Sequence, residues 1–167
     1  MKKFILILLI IISTVCYAQP KRAMTVNDLW AMNRIGDFDV SPDGLKIVYM
    51  VEKYSMEENS GQSDIWTANT DGTDFRKIIA SDEDEVQPRF SDDGNKILYK
   101  FNKQIWQCNP DGTISEQLTF FYAGADDCRM SGNKLLFTAK VYPDCANEEC
   151  NRAKDRIATI TTRSQGP

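Results

Sequence analysis

An internal repeat restricts the fold of this chain more than any other feature of its sequence. The segment VSPDGLKIVY at 40–49 recurs as FSDDGNKILY at 90–99, and DIWTANTDGT at 64–73 recurs as QIWQCNPDGT at 104–113. Twelve of these twenty positions are identical, whereas average residue usage gives about one by chance. A shortened third copy, MSGNKLLF, follows at 130–137. The chain is therefore built from one repeated unit.

The length of this unit indicates a β-propeller. The copies are offset by 50 residues in their first segments and by 40 in their second, so ten additional residues separate the two segments of the first copy. We expect these residues to form a loop insertion around Glu52 to Ser63. The remaining period of about 40 residues matches the length of one propeller blade.

Each unit is predicted to supply three or four antiparallel strands. Strict alternation places Ile97 and Tyr99 on one strand face and Leu98 on the other. Closing strands are expected at 75–79 and 114–119. Four aromatic residues at equivalent positions of the two copies are predicted to pack between blades. They are Tyr49, Tyr99, Trp66 and Trp106.

Tight turns are predicted between these strands. Ser41-Pro42-Asp43-Gly44 has Pro and Gly where type I turns favour them, and Asp-Gly pairs are hairpin signals. The residues assigned to turns are Asp43, Gly44, Asp93, Gly94, Asp71, Gly72, Asp111 and Gly112. These residues are interpreted as turn formers, because Asp and Gly tolerate the backbone conformations that turns need.

The N-terminus has the features of a secretory signal peptide. Lys2 and Lys3 precede an apolar run at 4–12, and the small residues Cys16 and Ala18 stand before Gln19. The run is shorter than the roughly 20 apolar residues of a membrane-spanning helix. We expect cleavage after Ala18 and a periplasmic or secreted location. Lipid attachment at Cys16 is the alternative, although Val15 fits such a site poorly.

Export makes disulfides the expected state of the four remaining cysteines. Four residues lie between Cys145 and Cys150 in a polar segment, which predicts a small closed loop. Cys108 and Cys128 would then form a second pair. A four-cysteine zinc site is the competing interpretation, but such sites usually show two close pairs and this sequence has one.

The composition excludes several kinds of function. The chain has no histidine, which excludes a Ser-His-Asp or Cys-His catalytic group and a histidine-ligated metal within it. Its net charge is −4 at pH 7, which argues against nucleic acid as a partner. The acidic run at 81–85 lacks the spacing of a calcium loop and is interpreted as a solvated turn between blades. We expect no metal and no cofactor.

A short helix is predicted before the first unit. Thr25 can cap it, Asp28 lies in its first turn, and Gly36 is expected after its end. Leu29 and Trp30 would give the helix an apolar side for docking.

Two segments resemble the secreted peptidases of the prolyl oligopeptidase family, in particular bacterial dipeptidyl peptidases and acylaminoacyl-peptidase-like enzymes. The first segment, 24–49, combines the Leu-Trp helix, Arg-Ile-Gly-Asp at 34–37 and Val-Ser-Pro-Asp-Gly at 40–44. The second runs from Val-Tyr-Pro-Asp-Cys at 141–145 to Cys-Asn-Arg-Ala-Lys-Asp-Arg at 150–156. The resemblance covers about residues 24–157.

The resemblance implies an N-terminal propeller that is followed, in family members, by an α/β-hydrolase domain. That domain carries Ser, Asp and His, with the Ser in a Gly-x-Ser-x-Gly elbow. This chain has neither the elbow nor a histidine, so no catalytic residue is assigned and the chain is expected to be inactive alone. The expected role is a non-catalytic, substrate-gating scaffold of a secreted serine exopeptidase, which would reach peptide substrates through the hydrolase domain.

The expected organisation is all-β, a partial propeller of two to three blades. It comprises a signal peptide at 1–18, a helix segment at 19–36, an incomplete propeller with the cysteine loop at 37–157, and an irregular tail at 158–167. Propellers have four to eight blades, so such an arc leaves strand edges uncovered. We therefore expect marginal stability and self-association through open blade edges, with no membrane contact after cleavage.

Two other interpretations remain open at this stage. The chain could be a stand-alone periplasmic propeller that binds a partner or acts as a scaffold, or an inactive product of a degraded gene. A downstream Gly-x-Ser-x-Gly elbow would favour the peptidase, and further blades would favour the scaffold.

Overall fold

The computed structural model describes residues 22–79 and 81–164, and the side chains as far as residue 157. The predicted signal peptide at 1–18 lies outside the described residues. The described part contains ten strands, β1 to β10, and two helices, α1 and α2. The strands form three antiparallel sheets in chain order.

Helix α1 spans Val26–Ala31 and begins at the predicted cap. The Thr25 hydroxyl accepts a hydrogen bond from the Asp28 backbone N–H, and the Asp28 carboxylate accepts one from the Thr25 N–H at 2.8 Å. This reciprocal pair is a capping box. Gly36 does lie after the helix, as predicted, but it does not terminate it: α1 ends at Ala31 with Met32 as its C-cap, and Gly36 lies inside the next strand.

Sheet 1 contains β1 (Arg34–Val40), β2 (Lys46–Ser55), β3 (Ser60–Asn69) and β4 (Arg76–Ile79) in that order. Its first strand begins before the predicted boundary at 37. The predicted loop at 52–63 was also wrong. β2 and β3 pair without interruption from Lys46–Asn69 to Ser55–Ser60, so the ten additional residues lengthen a hairpin and leave 56–59 as its turn.

Sheet 2 repeats this arrangement with β5 (Glu85–Phe90), β6 (Ile97–Phe101), β7 (Gln104–Cys108) and β8 (Glu116–Gln117). Sheet 3 contains β9 (Ala125–Ser131) and β10 (Lys134–Ala139). The closing strands β4 and β8 lie within the predicted segments but are shorter. The repeat therefore folds as predicted, into equivalent antiparallel sheets.

The three sheets stack face to face through two apolar layers. The first layer joins sheets 1 and 2 through Val48, Ile65, Phe90, Ile97, Tyr99 and Cys108. The second joins sheets 2 and 3 through Leu98, Ile105, Ala125 and Cys128. Ile97 and Leu98 are neighbours in β6, yet both are fully buried, because alternate side chains point to opposite faces of a strand. This stacking of equivalent sheets is that of a partial β-propeller.

A second helix, α2 (Glu148–Ser164), follows the sheets. The predicted irregular tail at 158–167 was wrong for 158–164, which continue this helix. Two features favour helix here: the Asn147 side chain accepts a hydrogen bond from the Cys150 N–H at 3.0 Å, and two acidic residues occupy the first turn. In the described part of the chain, no helix is long and apolar enough to cross a membrane.

Strand β1 forms an edge of the described structure. It pairs with β2 on one side, and its Ile35 and Phe38 side chains are 71% and 65% exposed. An exposed apolar edge strand is a template for pairing with another chain. Self-association through this edge remains a prediction.

Truncating a residue between sheets 2 and 3 tests the stacking. Leu98→Ala should lower the free energy of unfolding by about 2–5 kcal/mol, because it opens a cavity at a fully buried position. The matched variant Leu136→Ala, at a side chain that is 73% exposed in sheet 3, should change it by less than about 0.5 kcal/mol. Urea unfolding followed by tryptophan fluorescence measures both. Equal effects of the two substitutions would contradict the observed packing.

Candidate functional site where the sheets converge

The first strands of the sheets lie where neighbouring sheets come closest. β5 contacts β1, β2 and β3 of sheet 1, and β9 contacts β5, β6 and β7 of sheet 2. In a propeller, blades are arranged around a central channel. The first strands therefore occupy the channel side of this arc, where a chain passing through a complete ring would meet them.

One position of the first strand is equivalent in all three sheets and carries charge in each. Asp39 pairs with Val48 in sheet 1, Arg89 with Leu98 in sheet 2, and Arg129 with Leu136 in sheet 3. The Asp39 carboxylate accepts a hydrogen bond from the Phe90 N–H at 2.9 Å and so links sheets 1 and 2.

A bulge precedes this position in each first strand. The pairing register shifts between Ile35 and Phe38, between Val86 and Arg89, and across the equivalent stretch of β9. Gln87 and Asp127 occupy the bulges of β5 and β9 with φ of 56° and 48°. Bulges of this kind redirect side chains, and they are frequent near functional sites.

Arg89 and Arg129 line a single cavity of about 250 Å³, together with Gln87, Asp127 and Cys128. The Arg89 guanidinium donates a hydrogen bond to the Pro88 carbonyl at 2.7 Å, and Arg129 donates one to the Cys128 carbonyl at 3.0 Å. Each arginine is thus held by the carbonyl of the residue before it. Among the described residues, no carboxylate lies within 4.0 Å of either guanidinium.

The charged residues around the cavity affect the Cys128 thiol. Burial raises the pKa of the Cys128 thiol, while the positive charges of Arg129 and Arg89 act in the opposite direction and the Asp127 carboxylate adds to the increase. The Gln87 Oε1 atom is buried and lacks a hydrogen-bond partner among the described residues.

The predicted turn residues lie at the strand connections and not at this cavity. The Ser41 hydroxyl donates to Asp43 at 2.6 Å, and Gly44 N–H donates to the Ser41 carbonyl at 2.8 Å. The second copy repeats this geometry, and there the Ser91 hydroxyl and the Asn95 N–H lower the pKa of Asp93 to about 2. The hairpin residues Asp71, Gly72, Asp111 and Gly112 accept or donate equivalent turn hydrogen bonds. All eight residues thus form turns.

The four predicted packing aromatics divide into two pairs. Tyr99 and Trp106 are cross-strand partners and pack in the layer between sheets 1 and 2. Tyr49 and Trp66 are partners in sheet 1, but they lie on its other face. No sheet covers that face among residues 22–79 and 81–164. In these residues, only Tyr99 and Trp106 therefore pack between sheets.

One of the two predicted disulfides forms. Cys145 and Cys150 are bonded, but Cys108 and Cys128 are free thiols. The second pairing was wrong because the two thiols lie in different apolar layers. Cys108 of sheet 2 faces sheet 1, whereas Cys128 belongs to β9 of sheet 3 and packs against the other face of sheet 2. Burial raises the pKa of Cys108 to about 12. Neither thiol is therefore expected to react in the folded protein.

The acidic run at 81–85 is solvated except at its last residue. Glu85 begins β5 and is 1% exposed. Burial raises its pKa, and the nearby Asp64 carboxylate adds to the increase. Lys77 lies 3.2 Å from Asp64 and compensates part of this negative charge. No cluster of three or more potential metal ligands occurs in the part of the chain that the structure describes.

Sequence reasoning missed the arginine pair. The signal was present, because aligning the copies on Ser41, Ser91 and Ser131 places Asp39, Arg89 and Arg129 at one position. The charge at that position differs between copies, so it does not contribute to the identities that define the repeat.

Two curated proteins named dipeptidyl-peptidase 5 are similar in sequence. The chain is 32% identical over 139 residues to that of Porphyromonas endodontalis, across 80% of this chain and 19% of the relative. It is 28% identical over 72 residues to that of Porphyromonas gingivalis, across 43% of this chain and 10% of the relative. The chain thus spans about a fifth of the length of the first relative, and its match to the second covers a tenth of that protein. No family model matches it.

Solved structures share the fold at low identity. The acylaminoacyl peptidase of Pyrococcus horikoshii gives a TM-score of 0.53 at 19% identity, over 71% of this chain and 20% of that one. A protein described as putative TolB from Agrobacterium tumefaciens gives 0.51 at 20% identity, over 70% of this chain and 41% of that one. At these identities the likeness establishes the fold alone.

Cysteine mapping tests the observed pairing. Trypsin releases residues 141–152 as one peptide that contains both Cys145 and Cys150. Alkylation of the unfolded, unreduced protein should label Cys108 and Cys128 and leave this peptide unlabelled until a reductant is added. Mass spectrometry reads each outcome. A Cys108–Cys128 crosslinked peptide, or labelling of Cys145 before reduction, would contradict the structure.

Proposed function

We propose that this chain, a β-propeller portion related to the peptidases of the prolyl oligopeptidase family, is the non-catalytic part of a serine peptidase that releases dipeptides from short peptides. The observation that carries the proposal is the 32% identity to a dipeptidyl-peptidase 5 over 139 residues. The propeller would act as a filter in front of a hydrolase active site. A narrow channel between blades passes flexible peptides and excludes folded proteins.

The residues of the chain support a non-catalytic role. It has no histidine and no Gly-x-Ser-x-Gly sequence, so a serine activated by a histidine base would have to come from outside it. The apolar layers between its sheets are those of a rigid scaffold. The reaction would be acyl transfer from a peptide bond to that serine, followed by hydrolysis.

Export is part of the proposal. The positively charged start, the apolar run at 4–12 and the small residues before Gln19 support a cleaved signal peptide. The Cys145–Cys150 disulfide also supports an oxidising compartment.

An affinity experiment tests the peptidase role. An antibody raised against this chain is used to precipitate the native protein from the cells that make it, and the precipitate is treated with a fluorophosphonate probe. We expect a serine-reactive polypeptide and release of dipeptides from dipeptidyl-anilide substrates. The purified chain alone should do neither, because it has no histidine. A precipitate without label or turnover would instead support a stand-alone binding or scaffold propeller.

The N-terminus of the native protein tests export. Mass spectrometry of the same precipitate should find a chain that begins at Gln19. A chain that retains Met1 to Ala18, or that carries lipid on Cys16, would contradict cleavage at this site.

A further inference from the structure

We propose that Arg89, Arg129 and Gln87 form a binding site for the C-terminal residue of a peptide, with the carboxylate held by the two arginines. The proposal rests on the proposed function for the source of the peptide. The site itself rests on the cavity between the first strands of sheets 2 and 3.

The two guanidinium groups have unused donors. An arginine side chain carries five N–H donors, and the bonds to the Pro88 and Cys128 carbonyls occupy the Nη1 atom of each arginine. These bonds fix the guanidinium groups against the backbone of their own strands. A carboxylate suits the remaining donors, because its two oxygens accept parallel hydrogen bonds from the planar guanidinium fork.

Gln87 determines which kind of carboxylate fits. Its Oε1 atom is a buried acceptor that lacks a partner among the described residues, and such an atom needs an N–H donor. Rotation of the half-buried Gln87 side chain would bring this atom to a ligand in the cavity. In the last residue of a peptide, the backbone N–H and the carboxylate are attached to the same Cα. One terminal residue therefore supplies both the anion for the arginines and the donor for Gln87.

Charge and size favour this ligand over larger or more highly charged anions. Asp127 lines the same cavity as the two arginines. The three side chains therefore carry a net charge of about +1, which suits a singly charged anion. The cavity of about 250 Å³ is smaller than the roughly 300–1,000 Å³ of sites for drug-sized ligands. It therefore suits one terminal residue and not a long segment.

The position of the site gives it a role in the proposed filter. Arg89 and Arg129 lie on first strands, which occupy the channel side of the sheets. A peptide anchored there by its C-terminus keeps its N-terminal end free, which is the end from which dipeptides are released. The site would thus select short peptides with a free C-terminal carboxylate.

Peptide titrations of the full chain test the site. Binding is monitored by the NMR chemical shifts of the Arg89 and Cys128 backbone amides. The probes are acetyl-Ala-Ala-Phe with a free carboxylate, its C-terminal amide, and an amidated peptide with a Glu side chain. We expect the free acid to bind at least tenfold more tightly than either amidated peptide. Methylation of the terminal backbone nitrogen should also weaken binding, since Gln87 then loses its donor.

Charge variants separate a binding role from a structural one. R89Q and R129Q should each weaken binding of the free acid by at least tenfold, whereas R76Q, which removes an exposed arginine of β4, should leave it unchanged. D127N should strengthen binding by about threefold, because it removes a like charge from the cavity. This opposite effect cannot arise from unfolding, which circular dichroism monitors in each variant.

Equal binding of the free acid and its amide would overturn the proposal, as would equal binding of the Glu peptide or unchanged binding in R89Q and R129Q. These outcomes are distinct from failure of the proposed function. The titrations measure binding to this chain alone, whereas the fluorophosphonate experiment measures an associated serine peptidase.

Discussion

The structure depends on apolar side chains that alternate along the central strands, so that both faces of a sheet must be covered. In β6, Ile97 faces sheet 1 and its neighbour Leu98 faces sheet 3, and both are fully buried. Leaving one face of such a sheet in water lowers its stability, because a period of two places about half of its apolar area on each side. Sheet 2 has a neighbouring sheet on each face. In the described residues sheet 1 has a neighbouring sheet on one face only, and Tyr49 and Trp66 lie on the other.

Stacking also creates the candidate site. Because equivalent sheets pack side by side, equivalent residues of their first strands lie at the junctions between sheets, and a difference between copies becomes a local chemical feature. Asp39 links sheets 1 and 2 by accepting a hydrogen bond from Phe90, whereas Arg89 and Arg129 meet at a cavity. The repeat thus supplies a scaffold in which single substitutions between copies determine what the channel side can bind.

Turn, helix-capping and strand-alternation patterns, together with the repeat, predicted much of the fold but little of this site. The turns at Asp43 and Asp93, the cap at Thr25 and the two-faced strand at 97–101 depend on neighbouring residues, so the sequence alone was sufficient. The Cys108–Cys128 pairing failed because it requires knowing which apolar layer each thiol enters, and sheet 2 separates the two layers. The loop prediction failed because an insertion in a repeat has no fixed structure, and these residues extended a hairpin. The arginine cavity forms only when two sheets pack together.

Methyl–methyl nuclear Overhauser effects provide the most direct test of alternate burial as the organising principle. The account predicts that the Ile97 methyl groups give contacts to Val48 or Ile65 of sheet 1, while those of Leu98 give contacts to Leu135 of sheet 3. Contacts from Ile97 to Leu135, or no contacts between residues of different sheets, would contradict it.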